Sequence, residues 1–97
     1  MAQEDELTVW VFNGSGYRAP NYPSGVFTDR NLGEEWIRKH QLSGILTRYP
    51  VNVGVYDWAV ARGIFKPKKE EHYTPLFIET FTDASQEHYH YENGQPS

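Results

Sequence analysis

Gln86-Glu87-His88-Tyr89-His90-Tyr91-Glu92-Asn93-Gly94 alternates two imidazoles with two phenols. In a strand, successive side chains point to opposite faces, so His88 and His90 share one face and Tyr89 and Tyr91 the other. One side can pack rings on a core while the other meets solvent or a partner. Such a strand needs a sheet to join, and the remaining segments decide what kind.

Working back from it, Asp83-Ala84-Ser85 reads as a turn. Before that turn, Thr74-Pro75 opens a helix, with Thr as cap and Pro at the first position, where its missing N–H costs nothing. Leu76, Phe77, Ile78 and Phe81 are the expected buried side of this helix. Residues 66–72 read as a charged, exposed loop. Residues 55–62 could form a strand from their β-branched content, but the Asp57 and Ala59–Ala61 pattern favours a short helix stopped by Gly63, and Ile45-Leu46-Thr47-Arg48-Tyr49 reads as a strand stopped by Pro50.

Further upstream lies the clearest helix. Thr28 or Asp29 is its cap, and Glu34 and Glu35 sit early, where the dipole favours acids. Leu32, Trp36, Ile37 and His40 form its apolar stripe, Arg38 and Lys39 suit its end, and Gly44 closes the turn. His40, at that end, reads as a cap rather than a base. Gly25-Val26-Phe27 is a short strand leading in. Leu7-Thr8-Val9-Trp10-Val11-Phe12 is a strand with apolar residues on both faces, as in the middle of a sheet, and Asn13-Gly14 ends it. The order strand, strand, helix, strand, helix, helix, strand predicts an α+β fold: a small antiparallel sheet of about four strands with two or three helices. Residues 1–97 make one domain, with polar, flexible ends expected at 1–6 and 93–97.

Composition narrows the class. A 97-residue chain supports one small core, and the 15% aromatic content offsets a hydrophobic fraction of only 38%. There is no cysteine, which excludes disulfides and thiolate metal sites. No apolar run approaches the ~20 residues that cross a bilayer, and the acidic start Met1-Ala2-Gln3-Glu4-Asp5-Glu6 is unlike a secretion signal. The expectation is a soluble, cytoplasmic protein. Nine Lys and Arg face thirteen Asp and Glu, a net charge of −4. Glu70 and Glu71 follow Lys66-Pro67-Lys68-Lys69 and neutralise this one basic cluster, which argues against a nucleic-acid partner, as the lack of a long apolar run argues against a membrane partner. An acidic surface suits a basic protein partner.

No catalytic constellation stands out. Ser15, Ser24, Ser43 and Ser85 lie in turn-like contexts without a nucleophile elbow. Asn13-Gly14-Ser15-Gly16 lacks the third Gly, the Lys and the following helix of a phosphate loop. Glu34-Glu35 and Glu70-Glu71 read as solvated surface. His88 and His90 are spaced to hold a metal with Asp57, Glu79 or His72 as a further ligand, but no third ligand stands at a set spacing. A hydrogen-bonded, solvated strand face accounts for them as well. The sequence therefore assigns no catalytic residue, no metal ligand and no cofactor. Tyr17, Tyr22, Tyr73, Tyr89 and Tyr91 fall in loops or at a sheet edge. Any one of them has a simple core-packing explanation; as a group, near acids, they favour protein binding.

Val9-Trp10-Val11-Phe12-Asn13-Gly14, Tyr22-Pro23-Ser24-Gly25-Val26-Phe27, Leu42-Ser43-Gly44-Ile45-Leu46-Thr47-Arg48-Tyr49-Pro50, Gly54-Val55-Tyr56-Asp57-Trp58-Ala59 and Glu87-His88-Tyr89-His90-Tyr91-Glu92-Asn93-Gly94 together resemble a family of small bacterial domains of unknown function. The likeness runs from about Thr8 to Gly94. It is similar to the immunity proteins of toxin systems, including contact-dependent growth inhibition. That resemblance implies a non-enzymatic protein that binds the C-terminal toxin domain of a cognate effector in the cytoplasm and covers its active site. It supplies no catalytic residues. The expected partner-binding residues are Tyr17, Tyr22, Glu70, Glu71, Tyr73, Glu87, His88 and His90. A metal-binding or hydrolytic enzyme using His88 and His90 is the rival from another class, and a general interaction or regulatory module is the third reading.

Overall fold

The computed structural model describes residues 7–16 and 22–97. Five antiparallel strands form one sheet in the order β2-β1-β3-β4-β5: β1 Thr8–Gly14, β2 Pro23–Phe27, β3 Gly44–Pro50, β4 His88–Glu92 and β5 Gln95–Pro96. Helix α1 (Arg30–His40) links β2 to β3; α2 (Val55–Ala61), a 3-10 turn (Glu70–Tyr73) and α3 (Pro75–Glu79) link β3 to β4. The fold is α+β, with one strand more than the sequence predicts. That strand exists because Asn93 (φ 52) and Gly94 (φ 85) both take left-handed backbone, as an Asn-Gly hairpin turn requires. The turn returns Gln95 and Pro96 against Glu92 and Tyr91. Pro96 is tolerated there because β5 is an edge.

Helix α1 starts where Asp29 caps it, its carboxylate accepting from Asn31 N–H at 3.0 Å. Glu34 and Glu35 lie in the second turn rather than the first, because Arg30 is the first helical residue. The C-terminus differs from expectation too. Gln41, at φ 55, closes the helix, with its N–H on Arg38 O (3.2 Å) and the Leu42 N–H on Ile37 O (2.9 Å). Gly44 instead begins β3, where a Cβ would strike the Asn13 carbonyl oxygen and the Phe12 ring.

The core lies between α1 and one face of the sheet. Trp10 and Phe12 from β1, Leu46 from β3, Tyr91 from β4 and Ile37 from α1 are buried together. Trp36 meets Phe12 edge-on at 5.7 Å, and Phe27, Leu42 and Tyr89 fill the margin. Gly33 lets the helix settle closely, since a Cβ there would sit 3.1 Å from Phe27 and 3.2 Å from Leu46. The stripe is accordingly narrower than predicted: Leu32 is half exposed and His40 is exposed.

A second aromatic cluster joins α2 to the 3-10 turn and α3. Tyr56, Phe65, His72, Phe77 and Phe81 pack ring on ring, with centroids 4.9–6.2 Å apart. Tyr56 Oη donates to His72 O at 2.8 Å. The segment predicted as a charged loop thus ends in a folded turn and places His72 among rings. On α3, Phe77 turns inward, whereas Leu76 (69% exposed) and Ile78 face solvent, because a five-residue helix has too few turns to bury two sides. Thr74 caps it as expected, accepting from Phe77 N–H.

Candidate interaction surface

The sheet face away from α1 carries the outward residues of every long strand. The register sets Val26, Val11, Thr47 and His88 in one row across β2, β1, β3 and β4. Asn13, Ile45 and His90 make a second row, and Val9 and Tyr49 a third. Val9, Val11, Ile45, Thr47 and Tyr49 are half-buried, while Val26, His88 and His90 are exposed. The molecule measures 43 × 37 × 20 Å. Its short dimension matches one helix layer of about 10–12 Å laid on one sheet. Helix α1 packs over β1 and β2 on the core side, and α2 approaches the sheet at β3.

At the β4 end of this face, the His88 and His90 rings stand 5.4 Å apart, nearly perpendicular. His88 Nδ1 lies 2.7 Å from the Gln86 carbonyl oxygen. A carbonyl only accepts, so Nδ1 carries the hydrogen, and in the neutral imidazole Nε2 is the nitrogen with the lone pair. A shallow pocket of about 370 Å³ adjoins His90, lined by Ser15, Ser43, Ile45, Glu92 and Ser97 among others. Among the described residues, no three His, Cys, Asp or Glu side chains gather in a position to hold one ion, and His72, a predicted third ligand, is held in the aromatic cluster.

Glu87 points to the other side of the sheet, toward α1. Its carboxylate takes Arg48 at 3.1 Å, Arg30 at 4.0 Å and the Tyr89 hydroxyl at 2.6 Å. The Tyr89 hydrogen bond is the largest cause of a Glu87 carboxyl pKa below its ordinary value; burial opposes it, and Arg48 and Arg30 lower it further. The same bond to Glu87 is the main cause of the raised Tyr89 pKa. Arg30 also lies over the Tyr89 ring at 4.4 Å. An open groove of about 600 Å³ runs over this network, lined by Thr8, Trp10, Thr28, Asp29, Arg30, Arg48 and Glu87.

The predicted partner-binding residues therefore fall in separate places. His88 and His90 share the open sheet face, and Glu87 belongs to the arginine network behind it. Glu70, Glu71 and Tyr73 share the 3-10 turn, and Tyr22 precedes β2 with 74% of its surface exposed. Tyr17 lies outside the described residues. The valines, Ile45 and Tyr49 of the open face are absent from that prediction. Their signal was the double-sided apolar pattern of β1, which fits a half-covered strand as well as a fully covered one.

Fold and surface together define a two-layer α+β domain with one sheet face left open. The chain belongs to the family described as Domain of unknown function (DUF7710), which matches residues 9–97. No curated protein and no solved structure shows significant similarity to it. Among the described residues, no helix is long and apolar enough to cross a membrane.

Proposed function

We propose that this chain is a protein-binding domain that neutralises a cognate bacterial toxin domain by stoichiometric binding in the cytoplasm, without catalysis of its own. The open sheet face carries the reading. It offers a strip of β-branched and aromatic side chains (Val9, Val11, Val26, Ile45, Thr47, Tyr49) bordered by two exposed imidazoles. Interfaces of this kind set an apolar centre within a polar rim. The net charge of −4 favours encounter with a basic partner, such as a nuclease-like toxin. Exposed Tyr22 and Tyr73 extend the supply of large, stiff rings that serve as anchors.

The test is titration of the purified chain against the toxin domain encoded beside it. A one-to-one complex that protects the toxin's target is the expected result. Val11→Asp and Ile45→Asp should each weaken that complex at least tenfold while the free domain stays folded. A folded chain that neither binds nor inhibits the toxin overturns the proposal.

A further inference from the structure

We propose that His88 and His90 form a two-imidazole zinc(II) site on the open face of the sheet. Three observations converge on it. The register puts both rings on one face of β4, two residues apart. The Gln86 carbonyl fixes the His88 ring through Nδ1 at 2.7 Å, which leaves Nε2 as the free donor. Histidines that bind metals are oriented in this way by an acceptor on their other nitrogen. Gln86 is itself held firmly. It is 4% exposed, donates through Nε2 to Arg48 O at 3.3 Å and accepts at Oε1 from Asp83 N–H at 3.1 Å.

The ring spacing is compatible with one ion shared between the two imidazoles. Imidazole nitrogen binds zinc at about 2.0–2.1 Å, which puts each ring centre roughly 3.2 Å from the ion. Two such rings are then about 5.2 Å apart at a tetrahedral angle, and about 4.5 Å apart at a right angle. The centroids here are 5.4 Å apart. That separation is close to the tetrahedral value, so both rings can reach one zinc ion. Water fills the other two positions in the free domain. The site stands independently of the toxin-binding reading, since it needs only the free chain.

The experiment is an NMR titration of the full chain with zinc chloride, following the four imidazoles. The His88 and His90 signals should move together with a single binding constant, while those of His40 and His72 hold still. His88→Ala and His90→Ala should each weaken binding at least tenfold, and the double variant should abolish it. Both rings are exposed, and an otherwise unchanged amide spectrum shows that each variant folds. Static His88 and His90 signals in excess zinc, movement of only one of the two rings, equal movement of His40 or His72, or binding retained by the double variant would each overturn the proposal.

Discussion

Tyr91 donates its phenolic hydrogen to a Glu34 carboxylate oxygen at 2.5 Å, joining β4 to α1 beside the core. Arg30, one turn earlier on the helix, approaches the same carboxylate at 3.9 Å. Burial and then the Glu34 hydrogen bond raise the pKa of the Tyr91 hydroxyl, so the phenol remains the donor across the working pH range. This strand is therefore fastened to the helix by a specific polar contact as well as by packing.

Tyr91→Phe keeps the ring in the core and removes that donor. A hydrogen bond to a charged group contributes about 1.5–3 kcal/mol when buried, and Glu34 retains some solvent and Arg30 as compensation. The expected loss is about 1–2 kcal/mol, read from urea unfolding at pH 7. For a domain of this size that lowers Tm by roughly 4–16 °C. An unchanged midpoint would show that Glu34 is fully satisfied without the phenol.

Glu87 governs part of the acid limb. Its folded pKa is held below its ordinary value near 4.5, chiefly by the Tyr89 hydroxyl and then by Arg48. Its contribution is therefore fully present above about pH 4.5 and disappears as the pH falls through the lower, folded value. The Glu87 side chain is 42% exposed, so solvent screening limits the effect to about 0.5–1 kcal/mol. Glu87→Gln should leave a flatter stability profile below pH 4.5 than the unmodified chain shows. Parallel acid limbs would rule out the linkage.

Gly44→Ala tests the closest approach in the sheet. A methyl group there meets the Asn13 carbonyl oxygen and comes within 2.7 Å of the Phe12 ring and 2.9 Å of Gly14 Cα. Two of those neighbours are backbone in β1, which cannot yield without breaking the β1–β3 pairing. The expected cost is at least about 3 kcal/mol, with loss of protection in both strands by hydrogen exchange.

Much of this arrangement is legible in the sequence where local chemistry and packing agree. The alternation of His88, Tyr89, His90 and Tyr91 fixes the two faces of β4, and Tyr91 is 5% exposed while both histidines lie open. Asp29, Thr74 and Pro75 mark helix starts because a cap is decided within three residues. Long-range geometry is harder to read. Gln41 closes α1 in a left-handed conformation, and Gly44 serves β3 instead, where the close approach of β1 leaves no room for a side chain. Asn93-Gly94 carries a strong hairpin signal, but only two residues follow in β5, too few to read as a strand. For the candidate surface, exposed histidines and tyrosines were evident. The open apolar face was not, since Val9 and Val11 look the same whether or not a second layer covers them.

His72 separates the aromatic cluster from the charged loop that its neighbours suggest. Its Nδ1 accepts the N–H groups of Lys68 (3.0 Å) and Lys69 (3.2 Å), and its ring meets Phe65 at 5.1 Å and Phe77 at 4.9 Å. One side chain thus closes the 3-10 turn and packs the cluster beneath it. His72→Phe keeps the ring contacts and leaves two backbone donors without their acceptor. Because solvent reaches this turn and can replace part of the lost bonding, a cost of about 1–2 kcal/mol is expected. Hydrogen exchange should show it first in residues 66–81 and least in β1 and β3, which belong to the other core. Leu76→Ala, at a position 69% exposed on the same module, should shift stability by no more than about 0.5 kcal/mol. A larger loss at Leu76 than at His72 would mean that α3 packs by its apolar residues and that the ring cluster does not hold the module.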